Sequence, residues 1–323
     1  MIEQQVLLSV RGLRTVFNRP TGDVRAVNGV DFEVRSGQVL GIVGESGSGK
    51  SVTSLSLLRL VPPPGSITAS EINFEGRNLL RLTNREMRRV RGRQIGMIFQ
   101  DPMSSLNPYM RISTQIMESP RLHLGLSRQK AHENAVKMLE MVGIPDARLR
   151  ADHYPHQMSG GMRQRAMIAM ALACQPKLLI ADEPTTSLDV TIQAQILDLM
   201  RRIKVETGTS IILITHDLGV IAGMADYVIV MYAGHVFESA PASQLFSDPR
   251  NPYTRALLRS VPDPARRGSK LLQIPGLPPN LSRLPKEGCP FAPRCPEVQS
   301  RCFEQTPPMR KLSADRRSFC WIE

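Results

Sequence analysis

No run in this chain approaches the roughly 18 uninterrupted apolar residues that a membrane-spanning helix needs, so an integral membrane protein is not expected. The N-terminus, Met1-Ile2-Glu3-Gln4-Gln5, lacks a basic segment followed by an apolar one. No signal peptide is visible, and a cytoplasmic protein is expected. Aromatic residues are scarce, 5% of the chain with a single Trp. Acidic residues are outnumbered: 29 Asp and Glu face 41 Lys and Arg, for a net charge of +12. Such an excess raises nucleic acid or an acidic membrane surface as a partner. Two stretches stand out, six Arg against one Glu between Arg81 and Arg93, and 14 basic against 7 acidic residues from Pro241 onward. Neither interleaves aromatics at the spacing of a base-stacking platform, which favours solvated faces near a membrane or an acidic partner over nucleic acid. There is no internal repeat. The 323 residues, 41% of them apolar, suffice for one large or two modest domains with ample core.

What is present is more specific. Gly44-Glu45-Ser46-Gly47-Ser48-Gly49-Lys50-Ser51 fits the phosphate-binding pattern G-x-x-x-x-G-K-[ST] and follows an apolar run, Val39 to Val43, that reads as a buried strand. The glycines let successive backbone N–H groups face a polyphosphate. Lys50 supplies a point charge for the outer phosphates, and Ser51 offers a hydroxyl to Mg²⁺. Ser51 to Leu60 contains no Gly or Pro, so a helix N-terminus would face the anion. A structural turn can share the pattern by chance, but strand before and helix after select a nucleoside triphosphate site.

Strands are expected at Leu7 to Val10, Val24 to Val34, Glu71 to Phe74 and Ile95 to Phe99. From Pro102 to about Pro155 the apolar residues take helical spacing (Ala135, Met138, Leu139, Val142), with Gly143 as a stop, which predicts a helical insert. Lys177 to Ala181 and Ser210 to Ile214 read as buried strands flanking a helix over Ile192 to Val205, and this alternation predicts an α/β fold with a mostly parallel core sheet. A hairpin is expected over Ala225 to Met231 and Gly234 to Glu238. After Pro241 the composition shifts: 14 of the 25 prolines lie in the last 83 residues. One helix is expected over Pro249 to Val261, and the loop-rich remainder needs something other than a large core to hold it.

The strand Lys177 to Ala181 ends in Asp182 and Glu183. A carboxylate beside a phosphate loop is where Mg²⁺ needs an oxygen ligand, which suits Asp182. Glu183 is then placed to orient or deprotonate the attacking water. Ser159-Gly160-Gly161 opens a second helix, through Ala173, and makes a second anion-binding nest. An ordinary capped helix would look the same. Two γ-phosphate sites in one chain make sense when two chains face each other, each offering its nest to the other's nucleotide.

With these motifs the chain resembles the nucleotide-binding subunits of ABC transporters over about residues 5–240. Ser159-Gly160-Gly161-Met162-Arg163-Gln164 resembles the family signature. Gln100 matches the glutamine that links Mg²⁺ and water to the membrane subunits. Ser187-Leu188-Asp189 matches the loop that crosses the dimer interface, and His216 the switch histidine at the γ-phosphate, although a lone His is usually a satisfied core or surface residue. Phe17 sits where the family stacks an aromatic on adenine. The resemblance implies two ATP molecules sandwiched in a dimer, with Lys50, Ser51, Gln100 and Asp182 on triphosphate and Mg²⁺, Glu183 on water, and Ser159 and Gly161 acting across the interface. It also implies an N-terminal antiparallel β-subdomain, a helical subdomain at about 102–165 that docks the membrane subunits, and a cassette spanning 1–240.

Cys174 lies in an apolar stretch and reads as a small core residue. Cys289, Cys295, Cys302 and Cys320 lie in the tail at spacings x5, x6 and x17. A cytosolic setting argues against disulfides. Free thiols remain one reading, and a metal or iron–sulfur staple another; the spacing alone cannot name the metal. Asn251-Pro252-Tyr253-Thr254-Arg255-Ala256-Leu257-Leu258, Pro275-Gly276 and the segments around Cys289, Cys295 and Cys302 resemble the C-terminal extension of oligopeptide/dipeptide importer ATPases. That resemblance implies an extension over 241–323 and favours a 4Fe–4S cluster, with Zn²⁺ as the alternative. It further implies an ATPase that energises import of peptides or similar small solutes from the cytoplasmic face of the inner membrane. Its partners would be a homologous ATPase subunit, most commonly a different chain, two permeases and an extracytoplasmic solute-binding protein. The rivals are a soluble ABC ATPase acting on nucleic acid or ribosomes, and a metal-clustered subunit that binds ATP without turnover. The first usually carries paired cassettes or a coiled-coil insert, neither present here; the intact Glu183 and His216 argue against the second.

Overall fold

The computed structural model describes residues 5–20, 22–186, 188–260, 273–285 and 287–322. They form two compact units, one over Arg81–Leu213, the other over Gln5–Leu80 together with the chain from Ile214 onward.

The second unit opens with β1 (Val6–Phe17) and β2 (Val24–Arg35), an antiparallel pair whose buried residues face each other: Leu8 opposite Val34, Val10 opposite Phe32, Leu13 opposite Val30. β1 runs well past the expected Val10. Arg11 and Gly12 interrupt the apolar alternation there, and Gly12 (φ 63) sits where the register shifts, so the strand continues through a bulge. β3 (Val39–Val43) is buried at every position and leads through the glycine loop into α1 (Lys50–Leu57). β4 (Gly65–Thr68), β5 (Glu71–Phe74) and β6 (Arg77–Asn78) complete an antiparallel sheet of order β2-β1-β5-β6, with β4 also on β1.

In the first unit, α2 (Asn84–Val90) starts at a capping box made by Thr83 and Glu86. β7 (Ile95–Ile98) precedes the expected helical insert, which is α3 (Pro102–Ser105), α4 (Ile112–Leu124), α5 (Arg128–Met141) and α6 (Ala147–Arg150). Gly143 (φ 75) ends α5 as the sequence predicts, its N–H donating to the Glu140 carbonyl at 2.9 Å. α7 (Gly160–Leu172), β8 (Leu178–Asp182), α8 (Val190–Thr207) and β9 (Ser210–Ile214) follow, in strand order β9-β8-β7. β7 and β8 are parallel, with Ile98 opposite Ala181, so the residues after both strands leave from the same edge.

The chain then returns to the second unit with α9 (Leu218–Ala222), β10 (Tyr227–Tyr232), β11 (His235–Pro241), α10 (Ala242–Ser247) and α11 (Pro252–Arg259). Val261, at the end of the helix expected over Pro249 to Val261, lies outside the described residues. α12 (Arg301–Glu304) and a hairpin, β12 (Met309–Ser313) and β13 (Arg316–Phe319), close the chain. Within this unit the strands run β12-β13-β11-β10-β3, and β10 lies parallel to β3 with Val230 opposite Val43. The tail hairpin was not expected, because Arg-Arg-Ser-Phe has no strand-like alternation. It forms because Arg316, although buried, meets Glu238 (3.0 Å) and Asp248 (3.3 Å).

What holds the tail is now visible. Five of the scarce aromatics, Tyr232, Phe237, Tyr253, Phe291 and Phe319, form one cluster, with ring centroids 4.6–6.4 Å apart and edge-on or tilted. Such pairs add about 0.5–1.5 kcal/mol each beyond the apolar area they bury. Asn251, 1% exposed, ties three elements. Its Oδ1 caps α11 by accepting from Tyr253 N (3.0 Å), and its Nδ2 donates to the carbonyls of Phe237 (2.9 Å) and Phe319 (3.2 Å).

Candidate nucleotide site

The phosphate loop in the second unit has the shape its glycines permit. Gly44 (φ 152), Gly47 (φ 76) and Gly49 (φ 101) occupy conformations that other residues rarely adopt. A Cβ on Gly44 would lie 2.1 Å from the Met231 carbonyl oxygen, and one on Gly49 2.3 Å from that of Ala26. The backbone therefore packs against β10 and β2 while its N–H groups line the start of α1. Lys50, 5% exposed, donates from Nζ to the carbonyls of Gly44 (2.8 Å) and Glu45 (2.9 Å), which draws the loop closed around it. Ser48 Oγ is buried with no hydrogen-bond partner. A ring of backbone donors at a helix N-terminus, a buried ammonium and an unpaired hydroxyl fit a polyphosphate. Ser46 and Ser51 lie in and just beyond the same turn.

Thr215 N donates to the Ile42 carbonyl (3.2 Å), so His216 follows directly from a residue bound to the strand that feeds the loop. Phe17 ends β1, pairing with Val24 and Gly65. The strongest unforeseen contacts come from the tail. Arg294 forks onto the Glu45 carboxylate, Nη1 to Oε2 at 2.6 Å and Nη2 to Oε1 at 2.9 Å. Tyr253 Oη accepts from Glu45 N at 3.1 Å. Both residues stood in recognisable tail segments, but Arg294 is 249 positions from Glu45, and no local pattern signals such a pairing.

The first unit assembles the acid and its neighbours. Asp182 is buried at the end of β8. Glu183 follows with φ 47, a strained position for a side chain with a Cβ. Gln100 Nε2, arriving from β7, and Thr186 Oγ1 both donate to Glu183 Oε2 at 2.9 Å. The sequence had marked Gln100 and not Thr186. Ser159 caps α7, accepting from Met162 N at 3.3 Å, and Gly160 and Gly161 open that helix. A Cβ on Gly161 would approach Ile192 Cγ2 to 3.1 Å. Buried Gln164 donates to the Pro184 carbonyl, tying the signature helix to the segment after Glu183. Of the expected crossing loop, Ser187 lies outside the described residues, Leu188 N donates to the Thr185 carbonyl (3.3 Å), and Asp189 caps α8 through Ile192 N (2.9 Å).

The four tail cysteines depart from expectation. Cys289 N donates to the Cys302 carbonyl at 2.7 Å, and burial pushes the Cys289 thiol up to about 12, the charges of Cys302, Cys320 and Cys295 adding to the shift. Burial likewise raises Cys295 to about 11, and raises Cys320. Yet among the described residues no group of three or more His, Cys, Asp or Glu could hold a metal ion. The thiols are neighbours, but they are not arranged as the expected four-sulfur ligand set, and burial of Cys289, Cys295 and Cys320 favours the protonated form that a ligand must lose. Cys174 is buried, as expected of a core residue, just beyond α7, with burial raising its thiol to about 11.

Comparison with known proteins follows this division. Residues 27–186 match the ABC transporter family, and residues 237–302 match the oligopeptide/dipeptide transporter C-terminal region. The chain is 54% identical to the oligopeptide transport ATP-binding protein OppD of Salmonella typhimurium, over 98% of this chain and 93% of that one. It is 51% identical to a putative peptide import ATP-binding protein of Brucella melitensis, over 100% and 99%. Among solved structures, a dimeric ATP-binding cassette bound to ADP and Pi in a post-hydrolysis state superimposes with TM-score 0.66 at 25% identity, over 73% of this chain and 98% of that one. Among the described residues no helix is long and apolar enough to cross a membrane. The chain is a member of the ABC transporter ATPase family, of the branch whose cassette carries the oligopeptide/dipeptide transporter C-terminal region.

Proposed function

We propose that this protein hydrolyses ATP to energise an importer of di- or oligopeptides or related small solutes, working at the cytoplasmic face of the inner membrane. The cassette comprises residues 1–240, and 241–323 form the extension. Lys50 and the loop from Gly44 to Ser51 hold the triphosphate, with Ser51, Gln100 and Asp182 on Mg²⁺ and Phe17 on the base. Mg²⁺ would supply charge neutralisation at the transferring phosphoryl group. Glu183 takes the proton from the attacking water at its carboxylate, His216 reads the γ-phosphate, and Ser159, Gly160 and Gly161 act from a second ATPase subunit, most commonly a different chain. The helical insert docks two permeases, through which an external binding protein delivers solute. No nucleic acid partner is expected.

The observation that carries this reading is the strained Glu183, its carboxylate oriented by both Gln100 and Thr186. Glu183→Gln keeps the shape and removes the base. Turnover should fall about 100-fold or more while ATP binding persists, as phosphate release and equilibrium nucleotide binding would report. Phosphate release at the normal rate would remove Glu183 from this role.

A 4Fe–4S cluster, or Zn²⁺, on Cys289, Cys295, Cys302 and Cys320 is the finer reading of the tail, supported by the proximity of the four thiols. Binding would require their deprotonation and a shift in position. Iron, labile sulfide and zinc analysis of anaerobically purified protein tests it, and the absence of all three would sink it.

A further inference from the structure

Glu45, the second residue of the phosphate loop, is gripped at every polar group it has. Its carbonyl accepts from Lys50 Nζ (2.9 Å) and Ser48 N (3.2 Å) inside the loop. Its N–H and its carboxylate are held from outside the cassette, by Tyr253 and Arg294 of the extension. Arg294 is itself fully engaged, with Nε on the Pro275 carbonyl (2.9 Å) and Nη1 also on Tyr232 Oη (3.1 Å). Its guanidinium lies 5.8 Å above the Tyr232 ring, and its backbone N–H donates to Phe291 in the aromatic cluster (2.9 Å). The side chains of the pair are 6% and 22% exposed. Pro278 and Pro279 of the same extension border Glu45, Ser46, Gly47 and Ser48.

An ion pair this buried contributes little net stability, but it fixes geometry, and loss of one partner leaves a charge uncompensated. The charge left here would be a carboxylate within the loop that must receive a triphosphate. We propose that Arg294 is a positioning residue for the nucleotide-binding loop, its guanidinium neutralising and aiming Glu45 so that the C-terminal extension sets the loop's affinity for ATP. This rests on the ATPase reading of the loop.

The test is equilibrium ATP binding and kcat on the full chain, below its unfolding temperature. Arg294→Met, which keeps the stem and removes the charge, should weaken ATP binding about tenfold with kcat at saturation within about twofold. Adding Glu45→Gln to that variant should restore affinity to within about threefold of wild type, since the stranded charge is gone. A purely structural defect would not be rescued. Arg294→Lys keeps the charge but loses the fork, so its affinity should fall between those of wild type and Arg294→Met. Unchanged affinity in Arg294→Met, no rescue in the double variant, or a tenfold loss in Arg294→Lys would each overturn the proposal. A wild-type chain that neither binds nor hydrolyses ATP would sink the ATPase reading instead.

Discussion

His235 shows how far a single residue can be moved by its surroundings. Burial, with Arg25 and Arg14 nearby, pushes its pKa down to about 4. Its ring stacks on Phe319 at 5.2 Å and its Nε2 lies 3.2 Å from Asn28 Nδ2. The folded protein therefore holds a neutral imidazole, while the unfolded chain takes up a proton near 6.5. Stability from this group is present above pH 6.5 and is lost as pH falls toward 4. The loss amounts to about 2–3 kcal/mol by pH 4.5. Urea unfolding at pH 7 and pH 4.5 should show that increment in the wild type, and His235→Gln should remove it. At the same scale the sequence marked Glu183 by its place after a strand and an aspartate. Its donor Thr186 was not legible, because only the turn after β8 brings that hydroxyl to Oε2.

Among the elements, the strand-loop-helix from β3 to α1 was the most legible, because its glycines are demanded by the backbone itself. They are not equivalent. Gly47 has open space around its missing Cβ, whereas Gly49 faces the Ala26 carbonyl at 2.3 Å. Gly47→Ala should cost about 1 kcal/mol of left-handed strain. Gly49→Ala should cost about 1–3 kcal/mol from strain, plus the displacement of β2, and should abolish measurable ATP binding. Thermal unfolding and nucleotide titration of the two variants would check the contrast. Helix ends were placed within a few residues by the sequence at the glycine stop of α5, at the Ser159 start of α7 and at both ends of α8. β13 was not, because a strand bearing the buried Arg316 makes sense only once Glu238 and Asp248 are known to face it.

At the scale of the molecule, the scarcity of aromatics conceals their concentration. Five of them hold the extension, where the sequence had looked to a metal staple. Phe291, 1% exposed and edge-on to three rings, should be the most sensitive. Phe291→Ala is expected to cost about 3–5 kcal/mol and to open the tail to limited proteolysis while the cassette stays resistant. Equal resistance of the tail in variant and wild type would show that the cluster is not what holds it.

Local chemistry was enough for the sequence to mark the phosphate loop with its strand and helix, and resemblance to known families supplied the order of cassette and extension. A glycine turn, a capped helix or a strand ending in two acids is specified by neighbours a few positions away. Tertiary structure alone decided that Arg294 reaches back to Glu45, that Arg316 is a strand residue, and that burial favours the protonated thiols of Cys289, Cys295 and Cys320. Each depends on burial and on charges far apart in the chain, whose energies exist only once folding has excluded water between them.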